Sequence, residues 1–378
     1  MGKASGTRIA GLIALATLLS ACATSLIGSH EPMHPVTDSV LLKAEATGLI
    51  DRIELRIQRF SIDPISGVET PETPVLLVEV CDPGILLVSR LRCWYRAPWS
   101  GHYKMIEFQS KVLLWNGTSR TETYKFASGN YPFEGAPIPI RAKGDPKATL
   151  DVVIIPDSDL LNDWYVTPWN PDGNWDGFRS FLDDLVEGVY FDFSAVREWR
   201  GLYNFYYSPK SANFDEATCT FMVPDNLAEL QVVADSLLYA HSKEMWDCKL
   251  NDKFSSENWY GKSIAHETGH ALFGLRDEYA GANYGFYPPH ACMSNIFSSE
   301  AVCAAEAPSI GLPASFCVLA DATWGVWRID PADAKGSLMG PAQHYSWSDF
   351  GLASLRRISW RYDKCLSGDC MAADECDF

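Results

Sequence analysis

The sequence predicts a mixed α+β chain: an N-terminal β-sandwich followed by a larger α/β domain. Three observations carry that expectation. Residues 37–147 are rich in short β-prone runs and poor in helical periodicity; from residue 148 strand-like and helix-period segments alternate; and a helix-compatible stretch from Ser263 to Phe273 ends at Gly274, a residue suited to a left-handed stop.

The first segment reads as export machinery. Lys3 and Arg8 precede an apolar run, Ile9–Leu19, too short to span a bilayer comfortably. It ends in Leu19-Ser20-Ala21-Cys22, which resembles a lipobox and implies cleavage before Cys22 with diacylation of its thiol. A plain signal peptide with an incidental cysteine is the alternative. Ala23 is similar to the next residue of outer-membrane-sorted lipoproteins, so the expected location is the bacterial cell envelope, at the outer membrane. Acyl chains would anchor the protein through about 0.8 kcal/mol per buried methylene. Residues 1–21 are thus the expected signal peptide, and residues 22–36, with Ser, Thr, Gly, His and two prolines, a tether.

In residues 37–147, Val75–Val80, Ile85–Val88 and Lys111–Trp115 are strand candidates, punctuated by Asp82-Pro83-Gly84 and Asn116-Gly117. In residues 148–378, Leu150–Ile155 and Leu202–Tyr207 read as strands. Phe178–Val196 and Leu227–Leu238 read as helices, followed by the helix that ends at Gly274. Asn170–Gly177 spaces oxygen-bearing residues as a Ca²⁺ loop does, but lacks the closing glutamate, and an Asp/Asn/Gly turn is the simpler reading.

Composition narrows the function classes. The chain carries 31 basic and 48 acidic residues, net −17; without residues 1–21 the balance becomes 29 against 48. Phosphates would be repelled by that average charge, which argues against nucleic acid as a partner, and the same average argues for lipid rather than surface charge as the membrane anchor. Eleven cysteines suit an oxidising compartment; setting Cys22 aside leaves ten. Cys81 with Cys93, and Cys219 with Cys248, are candidate pairs. The remainder form the groups Cys292/Cys303/Cys317 and Cys365/Cys370/Cys376.

The chemistry concentrates in His266-Glu267-Thr268-Gly269-His270. Residues four apart share one face of a helix, so both imidazoles can reach a single Zn²⁺ at roughly 2.0–2.1 Å. Glu267, beside the first histidine, can take a proton from a metal-bound water whose pKa the metal lowers to about 7. Past Gly274 lie two carboxylates, Asp277 and Glu278, either of which can complete the ligand set.

The run His266-Glu-Thr-Gly-His-Ala-Leu-Phe-Gly-Leu-Arg-Asp-Glu-Tyr279 resembles the signature of the bacterial IgA-peptidase family of zinc metalloendopeptidases, relatives of the metzincins. Asp151–Asp157 and Phe178–Tyr207 resemble the opening strand, helix and second strand of that family's catalytic domain. The resemblance implies a metzincin-like fold for residues 148–378, hydrolysis of a protein or peptide substrate, and Asp277 as third zinc ligand. The usual third histidine is missing and the glycine stands one residue later, so Glu278 stays open as the ligand. Gly336-Ser-Leu-Met339-Gly-Pro341 resembles the Met-turn, which implies that Met339 packs beneath the metal without ligating it. Tyr345 is the candidate hydrogen-bond donor to the oxyanion, with Tyr279 as the alternative.

Two other readings stand beside the peptidase: a non-catalytic envelope-binding lipoprotein with a structural or vestigial zinc site, and a zinc hydrolase acting on glycan, hinted at by thirteen tryptophans. A catalytic base at Glu267 weighs against the first, since a structural site needs none.

Overall fold

The computed structural model describes residues 25–31, 39–63, 68–84, 88–98, 104–128, 135–143, 146–158, 178, 182, 185–215, 218–241, 248–250, 252–257, 261–278, 294–329, 337–339 and 350–370. It is mixed α+β, mostly sheet, and divides into two compact units. The first runs to Glu134 and includes Ile140–Ala142; the second holds Gly135–Pro139 and everything from Lys143. Cys22, Tyr279, Tyr345 and the segment 170–177 lie outside the described residues.

The first unit is one antiparallel sheet of seven strands: β1 (Leu26–Glu31), β2 (Ser39–Ile62), β3 (Glu69–Pro71), β4 (Leu76–Cys81), β5 (Val88–Pro98), β6 (Lys104–Leu114) and β7 (Ser119–Ser128). β2 organises it. Its first half pairs with β1 and β5, its second half with β3, β4 and β6. The inward residues of β2 are Val40, Leu42, Ala44 and Ala46, then Ile53, Leu55 and Ile57, so the alternation changes phase along the strand. The register shifts there too, between Thr47 and Ile50 against β5 and between Ile50 and Arg52 against β6. An unpaired residue at such a bulge swaps the faces of everything beyond it. Gly48, at φ 122°, supplies a backbone angle closed to other residues.

The expected sandwich is therefore a single hydrogen-bonded sheet folded over one core, in which Phe108, Val112, Tyr124 and Phe126 meet the inward row of β2. A side chain on Gly28 would come within 2.7 Å of Ser110 Oγ, which records how closely β1 lies against β6. The Arg141–Glu122 ion pair is buried there: Glu122 accepts from the Gly28 amide and Arg141 donates to the Gly28 carbonyl at 3.1 Å. The Cys81–Cys93 disulfide joins β4 to β5.

The second unit is built on a six-stranded sheet in the order β14-β15-β13-β9-β10-β8. Its strands are β8 (Ile138–Arg141, of which Ile140 and Arg141 count with the first unit), β9 (Leu150–Pro156), β10 (Tyr203–Tyr207), β13 (Ser236–His241), β14 (Lys249–Leu250) and β15 (Lys253–Glu257); β11 (Phe214–Asp215) and β12 (Thr220–Phe221) form a separate hairpin. β9, β10, β13 and β15 run parallel, and β9, β10 and β13 are buried throughout, as parallel strands covered on both faces must be.

Two sequence expectations fail in this unit. Leu227–Leu238 is not one helix: only α2 (Leu227–Leu230) is helical, and Ser236-Leu-Leu-Tyr-Ala-His241 is a central strand. A short apolar run buried on every side carries no period that separates strand from helix. Phe178–Val196 is not one regular α-helix over its described residues. It passes through a π-turn at Leu185–Val189 and a 3₁₀ turn at Tyr190–Asp192 before α1 (Ser194–Arg197).

Among the described residues this unit also holds α3 (Gly261–Phe273), α4 (Glu300–Glu306) and α5 (Leu352–Leu366), with a small sheet of β16 (Ile296–Phe297), β17 (Cys317–Asp321) and β18 (Val326–Ile329). Disulfides close Cys219–Cys248, Cys303–Cys317 and Cys365–Cys370. Among the described residues no helix is long and apolar enough to cross a membrane.

Candidate metal centre

α3 carries the histidines. It follows β15 closely in sequence, and Ile264, Ala265, Leu272 and Phe273 bury its apolar face. Thr268 turns its hydroxyl back onto the Ile264 carbonyl at 2.6 Å and meets the Tyr190 hydroxyl at 2.9 Å. Gly274 ends the helix in the left-handed region at φ 63°, as its sequence position predicts, and its amide donates to the His270 carbonyl at 3.2 Å. Arg357, fully buried on α5, caps the end by donating to the Phe273 carbonyl at 2.6 Å.

The turn after Gly274 brings Asp277 back over the helix. His266 Nε2 and His270 Nε2 lie 3.1 Å apart, and Asp277 Oδ1 stands 3.2 Å from the first and 3.4 Å from the second. A four-coordinate ion with bonds of about 2.0–2.1 Å holds neighbouring ligand atoms roughly 3.3–3.4 Å apart. The triangle therefore fits three corners of such a tetrahedron. Glu267 Oε1, 3.9 Å from His266 Nε2, lies beyond that spacing and stands beside the ligand set rather than in it. His266, Glu267 and His270 offer possible ligand atoms within 4.8 Å of one another, but Asp277 stands nearer to His266 Nε2 than Glu267 does.

The imidazoles are oriented by main-chain carbonyls. His266 Nδ1 lies 2.8 Å from the Leu338 carbonyl and His270 Nδ1 2.7 Å from the Leu275 carbonyl. A carbonyl only accepts, so each Nδ1 carries the proton and each Nε2 presents a lone pair. Two lone pairs facing across 3.1 Å repel unless they share a cation. With ring protons standing in place of a metal ion, the same pair acts on Asp277: burial pushes its carboxyl up, but the charge of His270 and hydrogen bonds from both rings draw it well below its ordinary value.

Of the two candidate carboxylates, the structure brings Asp277 to the histidines and turns Glu278 away. Glu278 is buried, with Oε1 accepting from Asn295 Nδ2 at 2.8 Å and from Ser354 Oγ at 3.1 Å. Burial raises its pKa in spite of those bonds. Asn295 also brackets Arg276, accepting from its amide at 2.9 Å and donating to its carbonyl at 2.7 Å, so one amide side chain grips both flanks of Asp277. Sequence reasoning missed Asn295 and Ser354; nothing local distinguishes an asparagine 18 residues from Asp277.

Met339 is fully buried against α3. A side chain on Gly269 would come within 2.8 Å of its sulfur and 3.2 Å of the Phe350 ring. Gly269 thus leaves room for the methionine on the turn between the two histidines. The Ser337-Leu338-Met339 stretch also supplies the carbonyl that orients His266, and the Met339 carbonyl accepts from the Glu278 amide at 2.8 Å.

No family model matches the chain, and no curated protein matches it. Among solved structures, the sporulation control protein Spo0M from Bacillus subtilis is similar at a TM-score of 0.20 and 9% identity, over 29% of this chain and 51% of that one. A DUF4466 family protein from Parabacteroides merdae is similar at 0.19 and 12%, over 31% and 47%. The chain spans about half the length of each, and likenesses this slight carry no argument.

Proposed function

We propose that this chain is an exported zinc metallopeptidase, similar in its site to the bacterial IgA-peptidase family, anchored at the cell envelope by lipid on Cys22 and acting on protein or peptide substrates. One observation carries the catalytic part: three ligand atoms spaced 3.1–3.4 Å apart with a carboxylate just outside them. His266, His270 and Asp277 would hold the ion. Zinc bound there supplies Lewis acidity toward a peptide carbonyl and toward water.

The chain's own groups do the rest. Glu267, largely buried beside His266, takes the proton of the attacking water and delivers it to the departing amine. The Leu338 and Leu275 carbonyls fix each imidazole with Nε2 forward. Met339 fills the floor of the site and leaves the ligand atoms in place. Tyr345 is the proposed donor to the developing oxyanion. The disulfides support an extracytoplasmic setting.

The test is Glu267→Ala. It should abolish cleavage of an unfolded protein substrate while zinc stays bound at one equivalent; undiminished cleavage removes the mechanism. A binding protein with a structural ion would keep its zinc and show no cleavage in the unaltered chain either.

A further inference from the structure

Every second residue of β5, from Arg90 through Arg92 and Trp94 to Arg96, is exposed, while Cys93 and Ala97, which face the other way, are buried. Strand geometry therefore lays three guanidiniums and an indole in one row on the outer face of the first unit. Cross-strand partners share a face, and opposite this row on β2 stand Thr47, Glu45, Lys43 and Leu41. Glu45 accepts from Arg90 Nε at 2.5 Å and from Arg92 Nε at 2.6 Å. Of the eight residues in the row and its β2 partners, one is a carboxylate and four are cations. The whole-chain charge of −17 conceals this local reversal of sign.

Chain length bounds how far the row can stand from Cys22. Ser25 binds Thr47, with hydroxyl oxygens 2.8 Å apart and the Thr47 amide donating to the Ser25 carbonyl at 3.1 Å, and Thr47 pairs with Arg90. Ser25, Thr47 and Arg90 thus stand side by side on successive strands, about 10 Å from first to last. Three peptide links separate Cys22 from Ser25, a reach of at most about 11 Å. An acylated Cys22 would hold the Arg90 end of the row within about 20 Å of the bilayer.

We infer that the Arg90/Arg92/Trp94/Arg96 face docks on an anionic bilayer surface, the guanidiniums on lipid phosphates and the Trp94 indole at the headgroup level. This rests on the reading of Cys22 as the anchor for its biological setting, but the contact itself needs no acyl chain. The first unit is then seated flat on the membrane rather than swinging on a tether.

The full chain carrying Cys22→Ser separates the two ideas, since it cannot be acylated. Co-sedimentation at low salt should capture it on phosphatidylcholine vesicles containing one third phosphatidylglycerol and not on phosphatidylcholine alone. Raised salt should release it. Replacing Arg90, Arg92 and Arg96 together by serine should weaken capture at least about tenfold. Trp94→Ser should weaken it severalfold and remove the blue shift of tryptophan emission on binding. All four side chains are exposed, so an unchanged melting temperature should accompany the loss. No capture on anionic vesicles, equal capture of the serine variants, or binding to an acidic polysaccharide with none to vesicles overturns the proposal. An unaltered chain that is never acylated in cells while the Cys22→Ser chain still binds overturns the anchor and leaves the face standing.

Discussion

His266 Nε2 faces His270 Nε2 across 3.1 Å, each ring held from behind by a main-chain carbonyl. That arrangement costs free energy until a cation lies between the nitrogens. His270→Ala should therefore reduce zinc affinity by at least about 100-fold while leaving the metal-free protein no less stable. Chelator competition and melting curves without metal check the two halves.

The adjacent acids should behave oppositely. Asp277→Asn should weaken zinc binding strongly, because its Oδ1 stands at ligand spacing from both imidazoles. Glu278→Gln should retain the metal, since a glutamine oxygen still accepts from Asn295 and Ser354. Equal metal loss in the two variants, measured as bound zinc after dialysis, would contradict the assignment.

Asn295→Ala removes both flanking grips on the 276–278 segment. Loss of a group that positions a metal ligand typically lowers affinity by about 10–100-fold. A zinc titration of this variant should fall in that range, with Asn295→Asp no better, because an aspartate cannot donate to the Arg276 carbonyl.

Gly269→Ala should destabilise the protein by roughly 1–3 kcal/mol, the usual range for overpacking. The added methyl would meet the Met339 sulfur at 2.8 Å. Pairing it with Met339→Ala should recover part of the loss, as read from denaturant midpoints.

Asp235 gives a pH dependence of its own. Its carboxyl accepts from the Asp151 amide at 2.9 Å, and burial pushes it up to about 7 from an ordinary 3.8. A carboxyl that holds its proton more tightly when folded stabilises most below the unfolded value, and that contribution is lost as pH climbs from about 4 through 7. Asp235→Asn, which keeps an acceptor, should flatten that slope and be more stable at pH 8 by roughly 1–3 kcal/mol. Melting curves across that window decide it.

What the sequence disclosed was local, and what it hid was distant or averaged. The helix of His266 and His270, its stop at Gly274, and the strands at Leu150 and Tyr203 follow from spacing within a few residues. The carbonyl that orients His266 comes from Leu338, 72 residues away, and Asn295 arrives through a separate small sheet. No periodicity encodes either. The strand at Ser236 went unread because full burial erases the alternation that marks a strand. The arginine row of β5 does alternate, but summing charge over the chain cancels it.

β2 threads both halves of the folded-over sheet as one continuous 24-residue strand. Neither half can therefore peel off and survive by itself, because melting either one strips the other of a neighbouring backbone. The first unit should lose its structure in a single concerted event, and a protease cut anywhere along that strand should cost the entire module.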